Sequence, residues 1–143
     1  MPCNAIATIR TKLALPQSLQ AAAKELTKEQ AIRLYSNLLA ELGNEQPNIS
    51  NYYNSQLIKI TANGITISIK HNSKGVYSLD IEPSVYDDRT RNLPNIIARF
   101  TEQTVKAAGL IKQAKAINAI KARYLGVTTT NAPNGATIIN LDI

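Results

Sequence analysis

The chain has no tryptophan, one phenylalanine, one cysteine and one histidine in 143 residues, and each shortage closes off a class of function. Cys3, the lone cysteine, allows neither an intramolecular disulfide nor a zinc site built from cysteines of one chain. A histidine metal cluster or a Ser-His-Asp triad would have to be assembled around His71, which falls in a turn-rich stretch and reads as a solvated turn residue. No apolar run approaches the ~18 residues of a membrane span, and no charged-then-apolar leader is seen. A soluble, cytoplasmic protein is expected. Ser73-Lys74-Gly75 lacks the full phosphate-loop pattern and precedes a strand. Asp87-Asp88, with Asp80 and Glu82, offers oxygen ligands for Mg²⁺ or Ca²⁺, but reads more simply as an acidic loop and strand edge. No catalytic, cofactor-binding or metal-binding residues are expected, so the chain is not read as an enzyme.

What is present is a β-meander over 57–82. Leu57-Ile58-Lys59-Ile60-Thr61-Ala62 and Ile65-Thr66-Ile67-Ser68-Ile69-Lys70 alternate on either side of Asn63-Gly64, the strongest short-range hairpin signal. A two-residue type I′ turn sets Ala62 opposite Ile65, Ile60 opposite Ile67 and Ile58 opposite Ile69, so the isoleucines share one face. Lys59, Thr61, Thr66, Ser68 and Lys70 take the other face, the pattern of a sheet buried on one side. After His71 to Gly75, a third strand places Tyr77, Leu79 and Ile81 on one side and Ser78, Asp80 and Glu82 on the other. The apolar face requires helices over it.

Elsewhere the alternation over 5–15 suits a first strand closed by Pro16. Good helix formers fill 18–26, and Thr27-Lys28-Glu29-Gln30 has the form of a capping box. A second helix follows, with Ala31, Leu34, Tyr35, Leu38, Leu39 and Leu42 at helical spacing and Gly43 as its stop. The Asn-rich stretch 44–54, with Pro47, Tyr52 and Tyr53, reads as a loop. Leu93-Pro94 opens the longest helical stretch. At about 100° per residue, Ile97, Phe100, Thr104, Ala108 and Ile111 form one stripe, and Leu110, Ile117, Ile120 and Tyr124 form another nearly opposite. The change of face falls at Gly109. Either the helix ends there in a left-handed cap, or one long helix buries two faces against different neighbours, a second copy of the chain being one candidate. Residues 127–130 and 136–143, around Ala132-Pro133-Asn134-Gly135, read as a closing hairpin.

The order of these elements, with Ile9-Arg10-Thr11-Lys12-Leu13, Arg99-Phe100, Thr104-Val105, Leu125-Gly126-Val127 and Asn134-Gly135-Ala136, resembles the small cyanobacterial and plastid "hypothetical chloroplast reading frame" family. Genes of that family often accompany an AAA-type ATPase, and it has no established catalytic residues to transfer. The capped helix at 27–42 and the long helical stretch after Gly109 depart from its pattern.

Charge carries the remaining functional signal. Sixteen Lys and Arg stand against ten Asp and Glu. Within 89–123, Arg89, Arg91, Arg99, Lys106, Lys112, Lys115, Lys121 and Arg123 face Glu102 alone, a net of +7, so the other eight basic and nine acidic residues sum to −1. Such asymmetry points to an anionic partner, either nucleic acid or an acidic protein surface, although lysines on a long helix also serve as its solvated face. Lys112 and Lys115 lie about 60° apart on a helix, close enough for one anionic strand to reach both. Tyr52 and Tyr53 suit stacking on bases or packing at the sheet edge, and the outward strand positions lack the aromatic pair of an RNA-recognition motif.

The expectation is therefore a single α+β domain over 1–143: an antiparallel sheet of first strand, three-stranded meander and C-terminal hairpin, covered on one face by helices. Its expected role is that of a non-catalytic adaptor or inhibitor working through a protein interface, of a kind encoded by phages and mobile elements. The alternative is a nucleic-acid-binding accessory protein using the basic 89–123 region. Leu110, Ile117, Ile120 and Tyr124 are the candidate oligomer stripe.

Overall fold

The computed structural model describes residues 14–84 and 92–123, together with the backbone of 127–131, 135 and 137–141. Among the described residues three helices, α1 (Gln17–Ala23), α2 (Lys28–Ala40) and α3 (Leu93–Arg123), accompany a sheet of β1 (Asn48–Tyr52), β2 (Leu57–Ala62), β3 (Ile65–Asn72) and β4 (Gly75–Pro83). The sheet is antiparallel in the order β1-β2-β3-β4, and β5 (Val127–Asn131) pairs with β6 (Thr137–Leu141) as a separate two-stranded sheet. This is an α+β fold.

The meander forms in the expected register, with Ala62 against Ile65, Ile60 against Ile67 and Ile58 against Ile69. Asn63 and Gly64 both adopt left-handed φ, +52° and +83°, as a type I′ turn demands. The six apolar side chains at these paired positions of β2 and β3 are fully buried and join Val76, Leu79 and Ile81 of β4 in one core. That core is closed by Leu19, Ala23 and Leu26, by Ala31, Tyr35, Leu38 and Leu39 of α2, and by Leu93, Ile97 and Phe100 of α3. The capping box at the start of α2 is complete: Gln30 N–H donates to the Thr27 hydroxyl and Thr27 N–H donates to Gln30 Oε1.

Four expectations are corrected. Within 44–54 the chain forms β1, an edge strand lying along β2 from Asn48 opposite Thr61 to Tyr52 opposite Leu57. Asn-Ile-Ser-Asn-Tyr lacks an alternating apolar pattern because an edge strand carries little burial, and the strand satisfies the backbone groups of β2. The C-terminal hairpin pairs with itself and adds no strand to the four-stranded sheet. The expected first strand at 5–15 is not one of the four, because it lies outside the described residues except for Ala14 and Leu15.

Tyr77 does not share a side with Leu79 and Ile81. The register shifts between Lys70, paired with Ser78, and His71, paired with Val76, so β4 carries one extra residue. The phase reverses, Val76 turns inward, and Tyr77 is 49% exposed. Gly43, finally, is not a left-handed cap. α2 ends at Ala40, Glu41 caps it in right-handed geometry, and Gly43 does not have positive φ. Glycine is needed there for space, because a Cβ would collide with Asn63 Oδ1. Asn63 is itself only 8% exposed, donating from Nδ2 to the Leu39 carbonyl (2.8 Å) and accepting from Glu45 N–H (3.2 Å). The hairpin turn is thus bolted to the end of α2.

Candidate interaction surface on the long helix

α3 runs unbroken for 31 residues through Gly109. Lys, Arg, Gln and seven alanines supply good helix formers throughout, and Pro94 sits in the first turn, where a missing N–H removes no intrahelical bond. Gly109 does not have positive φ, and a Cβ built on it meets nothing within 4 Å. Of the two readings left open by the change of face, the continuous helix is the one the chain adopts.

The first half of α3 is held by the core. Leu93, Ile97, Phe100, Thr104 and Ala108 are buried, and Ile111 packs against the core's margin. Thr104 is polar but fully buried, donating to the Phe100 carbonyl (2.6 Å) and sharing a 2.8 Å hydrogen bond with the Tyr35 hydroxyl. Burial pushes the pKa of the Tyr35 hydroxyl up to about 12, partly opposed by that hydrogen bond. Beyond Ile111 no residue of α3 is buried; Ile117 and Ile120 are half-buried, and Leu110, just before it, is 54% exposed.

The basic residues do not form one surface. At about 100° per residue, Arg99, Lys106 and Lys121 lie within about 60° of one another, on the side that carries Leu110 and Ile117, while Lys112, Lys115 and Arg123 lie on another side. Two are engaged by carboxylates distant in sequence, Arg99 with Glu41 at 3.0 Å and Lys112 with Glu25 at 3.8 Å. Lys106, Lys115 and Lys121 are exposed and, among the described residues, have no carboxylate within ion-pair distance. Lys121 and Arg123 also sit in the last turn, where cations oppose the negative end of the helix dipole. Arg89, Arg91 and Tyr124 lie outside the described residues. The two ion pairs had no local sequence signal, since α3 supplies the cations while Glu41 and Glu25 lie just past the ends of α2 and α1, brought to it only by packing.

The other candidate groups are structural. His71 holds the β1–β2 turn, its Nε2 bonded to the Ser55 carbonyl and its N–H donating to the Gln56 carbonyl. That turn has three successive residues at left-handed φ, Tyr53, Asn54 and Ser55. A cleft of about 620 Å³ beside it is lined by Thr27, Lys28, Glu29, His71, Lys74 and Tyr77 among others, with Thr27 Oγ1 and His71 Nε2 already bonded to the backbone. Tyr52 lies under Lys59 Nζ, 5.6 Å from its ring centroid, at the edge of the sheet. Among the described residues no three His, Cys, Asp or Glu side chains converge as metal ligands, and no helix is long and apolar enough to cross a membrane.

No protein-family model, curated protein or solved structure matches this chain.

Proposed function

We propose that this chain is a non-enzymatic cytoplasmic adaptor or inhibitor that acts through a protein interface on the outer side of α3, in the manner of small antagonists encoded by phages or mobile elements. The observation that carries the reading is Leu110, exposed on the side of the helix away from the core and standing between Lys106 and Lys121, two lysines without carboxylate partners among the described residues. An interface core of apolar side chains with charge at its rim has this composition. Nucleic acid is the weaker reading, because the cations are divided between two sides of the helix and two of them are tied to Glu41 and Glu25.

The test is size-exclusion chromatography of the purified chain with and without nuclease, followed by titration against DNA and RNA probes at low salt. A protein-interface role predicts no co-purifying nucleic acid and no probe shift. A shifted probe, with log K falling against log salt by about 0.7–0.9 per phosphate contacted, would overturn it in favour of nucleic-acid binding.

A further inference from the structure

β1 forms one edge of the four-stranded sheet, and no described strand lies beyond it. Which of its backbone groups face outward follows from the hairpin next to it. In a two-residue type I′ hairpin the residues flanking the turn form a hydrogen-bonded pair, and bonded pairs alternate with non-bonded ones along the ladder. Ala62–Ile65, Ile60–Ile67 and Ile58–Ile69 are therefore the bonded pairs of β2 and β3, a phase continued by His71 N–H donating to the Gln56 carbonyl. β2 is left to bond β1 through Leu57, Lys59 and Thr61, whose partners are Tyr52, Ser50 and Asn48. The N–H and C=O groups of Ile49 and Asn51 point away from the sheet, and no described residue takes them up.

A second copy of the chain is the complement of this edge. With two copies antiparallel about a two-fold axis at Ser50, Ile49 of each pairs with Asn51 of the other, and every outward N–H meets an outward C=O. Ser50 faces Ser50 in the closer, non-bonded pair, about 4.5 Å between Cα atoms, where small hydroxyl side chains fit and bond one another. The limits of the strand agree with that centre. Pro47 and Tyr53 lie equally far from Ser50 and come opposite each other; Pro47 has no N–H to give, and Tyr53, at φ +53°, has left the strand. Moving the axis to Ile49 or Asn51 sets Asn51 against Pro47 or Ile49 against Tyr53 and loses bonds. Charge also permits the pairing: the chain carries a net +6, but none of it lies on 48–52, so two copies meet here without opposing like charges. A charged strand of another protein gains nothing at the same edge. Ile49, exposed on the face that carries Ile58 and Ile60, becomes the diagonal neighbour of Ile49 of the second copy.

We propose that the chain forms a two-fold dimer in which β1 pairs antiparallel with β1 of a second copy about Ser50, joining the two sheets into one. This interface is separate from the outer side of α3 and does not depend on the reading of that helix.

Sedimentation equilibrium of the full chain over a range of concentrations should show a reversible dimer. Asn51→Pro removes an outward N–H from each copy but none that bonds β1 to β2, so it should weaken dimerisation at least ~10-fold and leave the circular dichroism spectrum unchanged. Leu110→Asp should leave the dimer as it is. With Cys3→Ser removing the native thiol, Ser50→Cys should give a disulfide-linked dimer on mild oxidation, because the two sulfurs face each other across the axis; Ile49→Cys, set against Asn51, should not. A monomer at every concentration would overturn the proposal, and a lower thermal midpoint for Asn51→Pro would then assign the edge to another segment of the same chain. A dimer that survives Asn51→Pro, or one that Leu110→Asp abolishes, would place the contact elsewhere and overturn it too. Cross-linking of Ile49→Cys in preference to Ser50→Cys would overturn the Ser50 axis.

Discussion

Tyr35 combines full burial with a titratable hydroxyl. Its hydroxyl is enclosed between α2 and α3 against Thr104, and its ring lies 6.2 Å from that of Phe100. Tyr35→Phe removes one buried hydrogen bond but leaves Thr104 donating to the Phe100 carbonyl, so urea denaturation at pH 7 should show a loss of about 1 kcal/mol. The same hydroxyl makes stability depend on alkali. Its folded pKa, pushed up from 10.0 to about 12, means that the folded state resists deprotonation more than the unfolded chain does. The corresponding stabilisation is fully present below pH 10 and is lost as pH rises through about 12, ~2–3 kcal/mol in all. Denaturation curves taken between about pH 9 and 12 should therefore show a steeper fall for the wild type than for Tyr35→Phe, and parallel curves would refute the assignment. Gly43→Ala belongs to the same scale. Its methyl meets the Asn63 amide and displaces it from the Leu39 carbonyl, at a cost of ~1–3 kcal/mol measured as a lower denaturation midpoint.

At the scale of elements, the β2–β3 hairpin and α3 respond to glycine substitution in opposite directions. Gly64→Val forces a β-branched residue into φ +83° and should lower the thermal midpoint by several degrees; an unchanged midpoint would contradict the turn. Gly109→Ala places a methyl in open space within a continuous helix and should raise stability by up to ~1 kcal/mol, whereas a left-handed cap would lose stability on the same change. β4 and β1 show how edges are managed differently within one sheet. β4 carries a bulge, donates from Val76 N–H to the Leu26 carbonyl, and has the Leu79 carbonyl taken by Gln20. β1 has neither charge nor proline among its five residues, and Ile49 on it is 44% exposed.

For the molecule as a whole, charge and fold separate. The folded core draws on α1, α2, the sheet and the first half of α3, while the second half of α3 carries lysines and a leucine away from it. Leu110→Asp should accordingly leave the stability within about 0.5 kcal/mol of wild type while removing any association made through α3. A large loss of stability would show that Leu110 serves the fold instead.

The sequence by itself determined the meander, its β2–β3 register and its turn, because strict alternation leaves one face apolar and a slip of a single residue would expose every isoleucine. It determined the capping box in full, since Thr27 and Gln30 satisfy each other locally. The two faces of α3 were also legible as periodicity. Whether Gly109 broke the helix was not, because a glycine there costs about as much as a cap gains and the packing of Ile97, Phe100 and Thr104 against α2 and the sheet weighs more than either. Only the tertiary structure made an edge strand of 48–52, turned Tyr77 outward at a bulge, gave Gly43 its role beneath Asn63 and brought Arg99 to Glu41 and Lys112 to Glu25. Each of these depends on groups far apart in the chain meeting in space, and no local pattern of residues encodes which ones meet.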